Sequence, residues 1–249
     1  MSKFKTSRTL TERTVCEAIE QHQELNPKLF EGDKLRPEVL GQIKEIVDLF
    51  LEELAEDEIK IKVVDVILVG SNVNYNYSKH SDLDVHILAD TKELDCDAHV
   101  YASLYSAYRS LFNKRFEIDF YNIPVELYVE TDGMPRVSNG VYSVVKNDWI
   151  QKPEPADIPT IDYEVLNRVL IRWENKCKKL LNMDVAKVDP DKIAELIDEI
   201  YVLRKEGLNS EDGEFSTKNL IFKELRNIGY LEDLKSLKNQ AVSYQLSLR

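Results

Sequence analysis

The residues best suited to chemistry lie in one stretch, Leu68-Val69-Gly70-Ser71, a polar loop, and then Ser81-Asp82-Leu83-Asp84-Val85-His86. Along a strand, side chains two apart share a face and are separated by about 6.5 Å. Asp82 and Asp84 therefore project to one side, while Leu83 and Val85 point into the core. Two carboxylates on one face repel unless a cation lies between them. Magnesium takes oxygen ligands and is commonly bound by a few carboxylates together with substrate phosphates. Two such ions about 4 Å apart can hold the attacking and leaving oxygens of an in-line phosphoryl displacement.

A third carboxylate would complete the set. Glu126, between Val125 and Leu127, has the apolar-acid-apolar context of a strand residue facing a site. Asp119, between Ile118 and Phe120, has the same context and is its rival; Glu126 is the preferred choice. Gly70-Ser71 closes the preceding apolar run, where glycine lets a phosphate approach the backbone and a turn of amides forms an anion nest. In the loop after it, Tyr77, Ser78 and Lys79 are candidates to touch a nucleotide, Lys79 as a point charge for phosphate. The plainer reading is packing against the sheet for Tyr77 and an exposed turn for Ser78 and Lys79. His86 falls on the aspartate face and reads as structural; Tyr101, Tyr105 and Tyr108 read as packing residues. Lys218, Lys223 and Arg226 read as a solvated helix face that could alternatively meet an acceptor or a triphosphate.

The elements that must position these residues follow from periodicity. Helices are expected over residues 11–22 and 37–54, the second with Leu40, Ile43, Ile46, Val47, Phe50 and Leu54 at helical spacing. The Ile/Val-rich segment 59–69 predicts a buried strand ending at Gly70, and 82–88 a second strand. A helix is expected over 97–114, with Val100, Leu104, Ala107 and Leu111 on one face. Strands at 116–121 and 125–129 are expected to pair antiparallel around Asn122-Ile123-Pro124. Three prolines within 153–159 suggest a linker. Helices are then expected over 163–181, 190–204, 217–227 and 231–246, the second opened by the N-cap and first-turn proline Asp189-Pro190. The expected class is α+β: a mixed sheet with flanking helices over residues 1–152, then a helical domain over 160–249.

Apolar-Gly-Ser, a spacer, Ser-Asp-x-Asp and a later apolar-Glu-apolar together resemble the nucleotidyltransferase superfamily that includes DNA polymerase β. The fuller string, with Tyr75-Asn76-Tyr77-Ser78, Val125-Glu126-Leu127-Tyr128, then Ser138, Gly140, Tyr142, Ser143 and Trp149, resembles a narrower set of phage and bacterial nucleotidyltransferase-like proteins. The likeness extends to Gly213-Glu214-Phe215-Ser216 and Asn219-Leu220-Ile221-Phe222-Lys223. It implies that family's fold and a nucleoside triphosphate such as ATP. It also implies two Mg2+ ions (Mn2+ as a substitute), with Asp82, Asp84 and Glu126 as ligands and catalytic residues. The third carboxylate departs from many members in being Glu rather than Asp. The resemblance names no acceptor: a small molecule, a protein or a tRNA end would all serve. The alternative is a catalytically inactive nucleotide-binding or protein-interaction domain of the same fold, as in a regulator or antitoxin.

Composition narrows the setting. With 45 acidic and 33 basic residues the formal charge is −12, which disfavours extended DNA or RNA binding. No apolar run is long enough for a membrane span, and no apolar stretch follows the basic amino terminus, so a cytoplasmic protein is expected. Cys16, Cys96 and Cys177 are scattered, which suits a reducing compartment and offers neither a disulfide frame nor a zinc site.

Overall fold

A computed structural model describes residues 21–90, 98–131, 138–155 and 160–247. The expected helix over 11–22 lies almost entirely outside the described residues. The chain is mixed α+β and divides into two compact units, one within Glu20–Ala156 and the other within Asp157–Arg249, so the break falls in the proline-rich segment.

The first unit is built on a six-stranded mixed sheet. A two-stranded hairpin, β1 (Phe30–Glu31) and β2 (Lys34–Leu35), precedes helix α1 (Pro37–Glu56). Pro37 occupies the first turn of α1, where its missing N–H leaves no helical bond unmade. The helix buries Val39, Ile43, Ile46, Val47, Phe50 and Leu54. Strands β3 (Val63–Val69) and β4 (Leu83–Ala89) follow, then α2 (Ala98–Arg115), β5 (Asp119–Phe120), β6 (Ile123–Thr131), β7 (Val141–Ser143) and β8 (Asp148–Gln151). Their order in the sheet is β5-β6-β4-β3-β7-β8. Only β4 and β6 are parallel; every other neighbouring pair is antiparallel.

The two faces of the sheet differ. Leu83, Val85, Ile87, Val125 and Leu127 pack in one core with Ile43 and Phe50 of α1 and Tyr105 and Phe112 of α2. The opposite face holds a smaller apolar patch, Ile67, Leu88 and Val141, with half-buried Val69 packed against it. That second face carries the acidic residues.

Helix α2 turns its tyrosines, rather than the aliphatic face, to the core. Val100 and Leu111 are exposed, and the buried side chains are Tyr105 and Phe112, flanked by half-buried Tyr101 and Tyr108. Aromatic rings bury more area than the aliphatic set, and the phenols find partners at the rim: Tyr105 Oη donates to the Lys60 carbonyl and Tyr108 Oη to Asp57. The β5–β6 turn is also tighter than expected. Tyr121 and Asn122, both at positive φ (55° and 65°), form it, so that Ile123 and Pro124 already belong to β6. Strand β3 starts four residues later than expected, and β7, β8 and the β1–β2 hairpin have no counterpart in the expected elements.

The second unit consists of helices α3 (Tyr163–Leu181), α4 (Pro190–Leu208), α5 (Thr217–Ile228) and α6 (Tyr230–Leu246). Asp162, Asp189 and Ser216 cap α3, α4 and α5 through side-chain oxygens that accept backbone N–H bonds. No helix among the described residues is long and apolar enough to cross a membrane.

Candidate metal centre

Sheet register brings the acids together. Asp84 on β4 stands opposite Glu126 on the parallel strand β6, and Val69, the residue before Gly70, stands opposite Asp84 on the other side. Asp82 lies just ahead of β4. One carboxylate oxygen from each of Asp82, Asp84 and Glu126 lies within 4.8 Å of the other two, and all three side chains are half-buried. Asp119 is not part of this group. It sits on β5, exposed, with Oδ1 accepting the Asn122 N–H in a local turn.

Like charges set opposite one another on adjacent strands destabilise a sheet, and a cation held among the three carboxylates could offset that repulsion. With Mg–O lengths of about 2.1 Å, ligands on opposite sides of one ion lie about 4.2 Å apart. The observed separation is close enough for small side-chain movements to close the shell. The donor set fits a hard divalent cation, since every ligand is oxygen and sulfur and imidazole are absent from the group.

Gly70 is required by this packing. Its φ of 83° and ψ of −172° fall in a region that is essentially restricted to glycine. A Cβ there would overlap Asp84 Oδ2. Gly140, further along, passes so close to the Val73 carbonyl that a Cβ would collide with backbone. That contact supports the short turn Ser71–Val73, which closes through Val73 N–H to Gly70 O and Asn74 N–H to Ser71 O.

The loop from Ser71 to Ser81 is held by side chains that sequence reasoning passed over. Asn72, fully buried, donates from Nδ2 to the Asp82 carbonyl (2.8 Å) and accepts at Oδ1 from Asn26 Nδ2 (2.7 Å). Ser81, also buried, accepts at Oγ from the Ser71 hydroxyl (2.7 Å) and the Ser78 N–H (2.9 Å). The Ser71 hydroxyl is thus engaged with Ser81 within the loop. Tyr77 stacks on His22 with ring centroids 3.8 Å apart, and its carbonyl accepts from His22 Nε2. Lys79 is exposed. Asn72 could have been singled out by its place directly after Gly70-Ser71, whereas its partner Asn26 is 46 residues away and carries no local signal.

Beside the acids, Tyr128 Oη donates to Glu126 Oε2 (2.6 Å). Burial, and then this bond to Glu126, push the phenol well above its ordinary value of 10, with the charges of Glu126, Asp84 and Asp82 acting in the same direction. The phenol therefore stays a donor. Its ring stacks on His86 at 4.7 Å and lies 4.8 Å from the Arg109 guanidinium. His86 Nδ1 meets Glu130 Oε1 at 2.5 Å, so the histidine is held by its own carboxylate one step along the same face.

Other residues in the family-like string make packing and polar contacts within their own units. Tyr142 and Trp149 pack edge-to-face, and Trp149 stacks on Phe30 of the hairpin. Ser143 donates to both carboxylate oxygens of buried Asp65 (2.8 and 2.9 Å). Lys218 and Lys223 pair with Glu206 and Glu214. No protein-family model matches the chain, and no curated protein matches it.

Proposed function

We propose that the chain is a metal-dependent nucleotidyltransferase of the polymerase β type. The observation that carries this reading is the convergence of Asp82, Asp84 and Glu126 at one end of the parallel pair β4–β6, against a glycine whose missing Cβ makes room for Asp84. The order Gly70-Ser71, Asp-x-Asp and a strand-borne third acid supports it from the sequence side.

In the proposed reaction an acceptor hydroxyl or amine attacks the α-phosphorus of a nucleoside triphosphate. The bond from that phosphorus to the bridging oxygen breaks, pyrophosphate leaves, and the acceptor proton is released. Asp82 and Asp84 would hold two magnesium ions, and Glu126 would complete the shell of the ion nearer the acceptor. Bound there, the ions neutralise developing charge on the phosphoryl oxygens and lower the acceptor's pKa. The protein's own contribution is positional: Asn72 fixes the backbone of Asp82, Gly70 leaves room for Asp84, and Glu126 is fixed by register.

The test is release of pyrophosphate from each of the four triphosphates, with magnesium and candidate acceptors of the small-molecule, protein and tRNA-end classes. Asp84→Asn is expected to lower turnover by more than about a hundredfold, the scale on which a transition-state charge stabiliser acts, with its circular dichroism spectrum unchanged. Magnesium-dependent nucleotide binding without turnover on any acceptor would instead mark a binding domain of this fold.

A further inference from the structure

Glu126 has two carboxylate oxygens, and one of them already accepts a hydrogen bond from the protein. Oε2 accepts the Tyr128 phenol at 2.6 Å, a short bond of the charge-assisted kind. The donor is not a passing rotamer. Tyr128 follows Glu126 by two residues on β6, so both project to the same face, and Tyr128 stands opposite His86 just as Glu126 stands opposite Asp84. The ring is braced by the His86 imidazole at 4.7 Å and the Arg109 guanidinium at 4.8 Å, and His86 is itself anchored to Glu130.

This matters because divalent cations differ in what they ask of a glutamate. Magnesium, and manganese in the same size class, bind carboxylates through single oxygens in a compact octahedron. Calcium takes more ligands at longer range and commonly recruits a bidentate glutamate. A glutamate with one oxygen already engaged suits the first kind and makes the bidentate grip that calcium favours costlier.

We infer that Tyr128 is a positioning and specificity-determining residue that holds Glu126 monodentate, and so selects small octahedral cations against calcium at the Asp82–Asp84–Glu126 centre. The inference rests on the proposed metal centre. Tyr128 does not itself touch the ion; it acts through Glu126. Phenylalanine at this position would keep the ring and remove only the hydroxyl.

The experiment is calorimetric titration of the full chain with Mn2+ alone and with Ca2+ alone, for wild type, Tyr128→Phe and Asp84→Asn. Tyr128→Phe is expected to weaken Mn2+ binding about tenfold, the lower end of the range for loss of a partner behind a metal ligand. Calcium affinity should be unchanged or raised, so that the ratio of the two dissociation constants moves toward calcium. Arg109→Ala, which frees one side of the ring, should move the ratio the same way by less, and covers the case in which Tyr128→Phe does not fold. Equal weakening for both ions, or an unchanged ratio, would overturn the inference while leaving the metal centre in place. Wild type that binds neither ion, or Asp84→Asn that binds like wild type, would overturn the metal centre itself.

Discussion

Gly70 shows how much one backbone position can decide. Its conformation is one that side-chain-bearing residues avoid by about 1–3 kcal/mol, and the space a methyl group would need is filled by Asp84 Oδ2. A methyl group at Gly70 would therefore displace the Asp84 carboxylate from its place beside Asp82 and Glu126. Gly70→Ala is therefore expected to lower the melting temperature by about 3–10 °C, from that strain and the usual entropy of unfolding for a domain of this size. It should also abolish any magnesium-dependent shift. Differential scanning fluorimetry with and without magnesium measures both, and a variant that melts lower but keeps the full magnesium shift would detach Gly70 from the site. Glycine followed by serine is visible in the sequence; that the glycine is required by contact with Asp84 is visible only once β3 and β4 are in register.

Helix α3 gives the clearest readout at the scale of an element. Cys177 lies on its buried face, three residues after Glu174 and next to Lys178, and those two pair at 2.7 Å. Burial, then the charge of Glu174, pushes the thiol up to about 12. An unfolded thiol titrates near about 8.5. The folded state thus favours the neutral thiol: this contribution is complete below about pH 8.5 and declines as pH rises toward 12. Urea melts between about pH 8 and pH 10 should lose more stability in wild type than in Cys177→Ala, the difference following the unfolded thiol's ionisation near 8.5. An equal loss in both would show that the thiol is not shielded. Long helices such as α1, α3 and α4 were legible because their apolar spacing repeats over many turns and their ends carry Pro37, Asp162 and Asp189. Strands β7 and β8, three and four residues long, hold too little pattern to stand out, and they exist because Tyr142 and Trp149 pack against a hairpin more than a hundred residues earlier. The buried face of α2 is set at a distance for a related reason. Aliphatic spacing puts Val100 and Leu111 on one face, while the distant core selects the rings of Tyr105 and Phe112. Of the candidate site, Asp82, Asp84 and Glu126 needed only strand alternation and one pairing, whereas Asn26, Asn72 and the Tyr128 brace depend on contacts that no local pattern encodes.

Across the whole molecule, a formal charge of −12 acts on folding and on the site in the same direction. Self-repulsion opposes the compact state and is relieved by any salt, because ions at ordinary concentrations screen charges beyond roughly 10 Å. The three acids of the site add a local repulsion that only a cation bound between them relieves fully. These two effects separate by experiment. Sodium chloride should raise the melting temperature of wild type and of the Asp82→Asn/Asp84→Asn double variant alike. Without divalent cation the double variant should melt at or slightly above wild type, since two like charges have gone. Magnesium chloride at matched ionic strength should add a further rise in wild type alone. Binding to the folded state contributes about 2.7 kcal/mol when the ligand is at a hundred times its dissociation constant, well beyond what screening supplies. A magnesium-specific rise of equal size in both proteins would place the cation elsewhere on the acidic surface and remove the triad as its site. A rise confined to wild type would tie the molecule's charge balance to occupancy of that one centre.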